Sequence, residues 1–94
     1  MTYELAFDPR ALKEWYKLGD TVKAQFKKKL ARVLVEPRIE SARLTDLPDC
    51  YKIKLRASGY RLVYQVRDEV VMVLLIAVSK REKLVVYKDA NRRL

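Results

Sequence analysis

Apolar residues recur along this chain with two periods, and the switches between them mark out its elements. From Thr2 to Phe7, Tyr3, Leu5 and Phe7 fall on alternate positions, which predicts a first strand. Asp8-Pro9 then signals a helix start, with Asp as N-cap and Pro at the first helical position. Ala11, Leu12, Trp15 and Leu18 follow at helical spacing, and Gly19 is placed to end that helix. Asp20 is placed to cap a second helix over about Thr21 to Val35, whose apolar stripe is Val22, Phe26, Leu30, Val33 and Leu34. Pro37 stops it. Helices joined this tightly form an αα-hairpin, and one hairpin cannot bury its own stripe, so it must lie on a sheet.

Pro37 to Asp49 reads as a connecting loop. Beyond it the period becomes 2. Tyr51, Ile53 and Leu55 alternate with Lys52, Lys54 and Arg56; after the turn Ala57-Ser58-Gly59, Tyr60, Leu62, Tyr64 and Val66 face together. A second turn at Arg67-Asp68-Glu69 leads into Val70 to Val78, almost wholly apolar and therefore predicted to be a strand covered on both faces. Short turns make these strands an antiparallel meander. Leu84 to Tyr87 fits a strand and Lys88 to Leu94 a helix; a short terminal helix is the favoured reading. The fold class is α+β: an antiparallel sheet with an N-terminal strand, an αα-hairpin on one face, a three-stranded meander and a short C-terminal helix. Residues 1–94 are expected to form one domain.

Charge changes this picture. The chain carries 21 Lys and Arg against 12 Asp and Glu, a formal +9, which attracts polyanions, nucleic acid foremost. It has no histidine and one cysteine, Cys50, so imidazole chemistry and an internal disulfide are ruled out and a structural zinc site is disfavoured. No metal or cofactor is expected. No apolar run approaches a bilayer span, and the N-terminus lacks a signal-peptide pattern, so the expected location is the cytoplasm, without a membrane partner.

The pleat gathers part of this charge. If both aromatic-rich strands turn the same face to the core, the tightest register sets Leu55 against Tyr60 and Lys54 against Arg61, with Lys52 opposite Val63. Lys52, Lys54 and Arg61 then share the other face, where like charges cost stability. Arg81 follows the last strand and Tyr87 lies in the tail. Each residue is also ordinary on a solvated surface. Together they match a chemistry that needs no histidine. Cations hold phosphate oxygens and stabilise charge developing on them. Crowded cations favour the neutral form of a lysine, which can then act as a base. A tyrosine can stack on a nucleobase. RNA brings its own nucleophile, the 2′-hydroxyl, which DNA lacks. Along the second helix Lys23, Lys27, Lys28, Lys29 and Arg32 form a separate cationic set, readable as RNA-docking surface or as a solvated face.

Four segments, "FDPRALKEWYKLG", "KKKLARVL" ending in "EPRIE", "LPDCYKIKLRASGYRLVYQV" and "VSKREKLVVY", resemble the RelE toxins of toxin–antitoxin systems. The resemblance spans essentially the whole chain and implies a RelE/ParE-like fold similar to small microbial RNases. It implies an endoribonuclease that cuts mRNA in the ribosomal A site, with 16S rRNA of the 30S subunit as docking partner. It further implies a cognate RelB-like antitoxin, with operator DNA bound only through the toxin–antitoxin complex. The family's lysines fall on Lys52 and Lys54, its phosphate-stabilising arginines on Arg61 and Arg81, and its RNA-orienting tyrosine on Tyr87. Where the loop before Pro48 can carry a further arginine in the family, this chain has Thr45. The competing readings are a ParE-like gyrase poison and an RNA-binding module that does not cut.

Overall fold

The computed structural model describes residues 2–80 and 83–94. The strands β1 (Glu4–Phe7), β2 (Cys50–Lys54), β3 (Arg61–Arg67) and β4 (Met72–Ser79) form a sheet in the order β1-β4-β3-β2. The helices are α1 (Pro9–Tyr16), α2 (Asp20–Val33) and α3 (Lys83–Arg93). The antiparallel meander of β2, β3 and β4 is present as expected. The N-terminal strand departs from an all-antiparallel sheet: β1 runs parallel to β4, with Leu5 beside Val73 and Phe7 beside Leu75. The physical reason lies at Asp8-Pro9. That pair sends the chain out of the sheet into α1 rather than around a hairpin, so packing and not a turn sets the direction of β1.

Asp8 caps α1 as the sequence suggests, its carboxylate accepting from Arg10 N at 2.9 Å. Gly19 behaves differently from the expectation. α1 ends at Tyr16 with Lys17 as its C-cap, and Gly19, extended at φ −69°, is the N-cap of α2. Asp20 is thereby the first residue of α2, where its charge complements the helix dipole. α3 takes in Leu84 to Tyr87, so the strand alternative for that stretch is not adopted.

Each face of the sheet has its own core. On one face Ala11, Trp15 and Leu18 and the α2 residues Phe26, Leu30 and Val33 pack on Tyr51, Ile53, Leu62, Tyr64, Val73 and Leu75. Buried Tyr64 donates its hydroxyl to the Pro37 carbonyl at 2.8 Å, which satisfies that buried polar group. On the other face Val86 and Ala90 of α3 cover Leu47, Cys50, Val63, Ile76 and Ala77. β3 is therefore covered on both faces, as β4 is. The register slips between Val63 and Tyr64, which pair with Ala77 and Leu75, so Ile76 is an extra residue on β4. This bulge turns both Ile76 and Ala77 toward α3.

The bulge is closed by an ion pair between the two layers. Arg93 Nη1 donates to the Ile76 carbonyl at 2.8 Å and to Glu14 at 2.7 Å. Glu14 also accepts from Val78 N at 3.3 Å. One pair thus satisfies the irregular edge of β4 and fastens the end of α3 to α1.

Cys50 lies beneath α3 and is fully buried, and burial, helped by the Asp49 carboxylate, pushes its thiol up to about 11. At pH 8 only about one thiol in a thousand is then ionised, and the thiolate is the reactive form. Ellman's reagent at pH 8 is expected to leave the native chain unlabelled over hours and to label one thiol within minutes in denaturant. Rapid labelling of the native chain would contradict the closed packing of α3 over Cys50.

Candidate functional site

β2 is an edge strand, and its alternation divides it cleanly. Tyr51 and Ile53 are buried, whereas Lys52 and Lys54 are exposed on the opposite side. The observed register is the one that the shared aromatic face requires. Lys54 stands directly opposite Arg61, and Lys52 opposite Val63. The turn between these strands closes on Leu55 N to Tyr60 O and Gly59 N to Leu55 O, both 2.9 Å, with Gly59 at φ +77°, which glycine adopts without strain. Arg61 Nη1 reaches back to the Gly59 carbonyl at 3.4 Å, so the turn helps to orient the guanidinium.

The cluster is electrostatically uncompensated. Among the described residues six acids are engaged in ion pairs elsewhere: Asp8 with Arg10, Asp49 and Asp68 with Arg38, Glu40 with Arg43, Asp89 with Arg92, Glu14 with Arg93. The Tyr3 hydroxyl and the Arg38 guanidinium hold the Asp68 carboxyl below the usual range, which keeps that acid committed far from the lysines. None of these pairs involves Lys52, Lys54 or Arg61. A directly opposed Lys54–Arg61 pair costs up to ~1 kcal/mol at an exposed strand pair. A bound anion removes that cost.

Arg61 also pairs with Ser79, at the end of β4. Arg81, the other arginine of the expected set, lies outside the described residues. Lys80, just before it, places its ammonium 5.7 Å from the centroid of the Tyr60 ring. Tyr87 is half-buried on α3, over the sheet face that carries Lys52 and Lys54. It lines a recess of about 420 Å³ with Leu44, Thr45, Asp46, Leu47, Lys88 and Asn91. Thr45 thus sits in the tyrosine's recess. Arg43, the nearest arginine in that loop, is held by Glu40 at 3.7 Å and by a backbone bridge to Tyr51.

The cations of α2 divide into two sets. Lys28, Lys29 and Arg32 face β2. With Gln25, Lys54, Leu55, Arg56 and Ala57 they line a depression of about 510 Å³. A smaller one of about 270 Å³ is lined by Lys29, Arg32, Lys52 and Lys54 with Val33, Ile39 and Ile53. Lys23 and Lys27 point elsewhere: Lys23 lies 5.9 Å from the Tyr16 ring centroid, and Lys27 borders a recess beside Phe7 and Trp15. The helical repeat explains the division, because residues 28, 29 and 32 share one flank and 23 and 27 another. Arg56 is a member that the sequence reading left off the site, although it continues the Lys52, Lys54 alternation.

A cationic sheet edge on a small α+β fold defines a class, and comparison with known proteins identifies it. The family described as the ParE toxin of type II toxin–antitoxin systems matches residues 5–85. The mRNA interferase toxin RelE of Escherichia coli K12 is 63% identical over 94 residues, covering 100% of this chain and 99% of that protein. The chain belongs to the RelE toxin family. A double arginine-to-alanine variant of E. coli RelE in the free state has a TM-score of 0.92 at 62% identity, covering 100% of this chain and 99% of that one. The toxin in the intact E. coli RelBE toxin–antitoxin complex has a TM-score of 0.83 at 65% identity, covering 86% of this chain and 99% of that one.

Proposed function

We propose that this chain is the toxin of a type II toxin–antitoxin pair and an mRNA interferase. The observation that carries the reading is full-length 63% identity to an mRNA interferase toxin. The uncompensated cluster of Lys52, Lys54 and Arg61 supports it. The reaction is attack by a 2′-hydroxyl on the adjacent phosphorus. Lys54, as a neutral amine, takes the hydroxyl proton; the 2′-oxygen bonds to phosphorus; the bond from phosphorus to the 5′-oxygen breaks, and the leaving oxygen is protonated by solvent. The products are a 2′,3′-cyclic phosphate and a 5′-hydroxyl end. Lys52, Arg61 and Arg81 stabilise charge on the phosphoryl oxygens; a guanidinium holds its proton too tightly to serve as the acid. Tyr87 orients the RNA by stacking on a base. No metal or cofactor takes part.

The substrate is mRNA in the ribosomal A site of the cytoplasm, with 16S rRNA as the docking surface. A RelB-like antitoxin silences the toxin by covering the cationic edge or displacing α3, and operator DNA is met only in that complex. No helix among the described residues is long and apolar enough to cross a membrane. The test is to map mRNA ends after incubation with programmed ribosomes. Cuts inside the A-site codon support the reading. Intact mRNA together with inhibited gyrase would favour a ParE-like poison instead.

A further inference from the structure

Lys29, Arg32 and Lys54 border both depressions beside β2, so the two form one trough along the seam between α2 and the edge strand. Its cations are Lys28, Lys29, Arg32, Lys52, Lys54 and Arg56, and no Asp or Glu among the described residues lines it. All six side chains are exposed, and none is in an ion pair among the described residues. Like charges concentrated in a recess focus the field and select a ligand with repeated negative charge. Lys52 and Lys54, two residues apart on a strand, repeat at about 7 Å, a step comparable with successive phosphates of an extended nucleic-acid strand. A separate docking surface for rRNA would not need to share its residues with the cleavage site. This one shares Lys54.

We propose that Lys28, Lys29 and Arg32 hold the substrate strand itself, seating backbone phosphates of the mRNA on the 3′ side of the cut, and do not dock on a second RNA. The inference rests on the mRNA-cleavage reading. It assigns α2 a direct part in substrate binding and excludes Lys23 and Lys27, which lie outside the trough.

The test is a cycle between protein and substrate. Ribosomes are programmed with a long mRNA or with one ending a nucleotide past the A-site codon. Single-turnover kcat/KM is measured for the wild type, for a Lys28→Gln/Lys29→Gln/Arg32→Gln variant, for Lys29→Gln alone, and for Lys23→Gln/Lys27→Gln. Thermal melts check that each is folded. On long mRNA the triple variant is expected to lose about 30- to 100-fold, and Lys29→Gln about 5-fold. Truncating the mRNA should cost the wild type a similar factor and the triple variant less than about 3-fold, because its phosphate seats are already gone. Lys23→Gln/Lys27→Gln should keep the wild-type dependence on mRNA length. An equal loss on both mRNAs, or no loss on either, overturns the inference while the cleavage reading stands. Wild-type protein that leaves mRNA intact overturns both.

Discussion

Replacing Lys54 with alanine is expected to slow mRNA cleavage on programmed ribosomes about 10²- to 10³-fold, with the thermal midpoint unchanged or slightly raised. The rate falls because the side chain assigned to take the 2′-hydroxyl proton is gone. Stability does not fall, because Lys54 is exposed, makes no ion pair among the described residues and stands directly opposite Arg61. Loss of rate without loss of stability separates a catalytic lysine from a structural one. An alanine variant that cuts at the parental rate would remove Lys54 from the mechanism.

The second large effect concerns the core beneath the site. Phe26 is 0% exposed, and its ring lies 6.1 Å from that of Trp15. It joins α2 to α1 and to the sheet face opposite Lys52 and Lys54. Phe26→Ala is expected to cost about 3–5 kcal/mol, by lost burial and by the cavity left behind. A small domain has about 5–15 kcal/mol in total, so the variant stands near the limit of folding. The urea midpoint should drop sharply at unchanged m-value, and the thermal midpoint by about 15 °C or more. A loss below about 1 kcal/mol would mean that α2 is not anchored there, and the α2–β2 trough would lose its support.

The centre of the site was legible in the sequence because two constraints coincide on it. The apolar sets of β2 and β3 must face one core, and the short turn at Ala57–Gly59 leaves one tight register that satisfies this. Lys54 opposite Arg61 follows directly. The direction of β1 was not legible, since no hairpin connects it to a neighbour. Gly19 was read as the end of α1 because glycine serves both helix ends, and only its extended backbone shows that it begins α2. The Ile76 bulge and the Glu14–Arg93 pair joining α1 to α3 were hidden for another reason. The pair spans 79 residues of chain, and no local period encodes it. The split of the α2 cations was half legible. The helical repeat separates Lys28, Lys29 and Arg32 from Lys23 and Lys27, but only the sheet order shows which flank meets β2. Arg81 enters through the family resemblance and lies outside the described residues.

These elements act on one another. The α1–α2 hairpin covers one face of the sheet and brings its cationic flank to the β2 edge, and α3 covers the other face and carries Tyr87. The edge between them keeps Lys52 and Lys54 exposed. A strand edge with exposed lysines also resists pairing with other chains, so these residues guard the sheet edge.

In the proposed function this cationic edge cuts messenger RNA through the RNA's own 2′-hydroxyl. The most direct measurement is to sequence and chemically type the mRNA ends formed on programmed ribosomes, with a parallel mRNA carrying a 2′-deoxynucleotide at the cut position. The expected result is cleavage within the A-site codon, a 2′,3′-cyclic phosphate on the upstream fragment, a 5′-hydroxyl on the downstream one, and no cut in the deoxy mRNA. Intact RNA, or equal cutting of the deoxy mRNA, would contradict it.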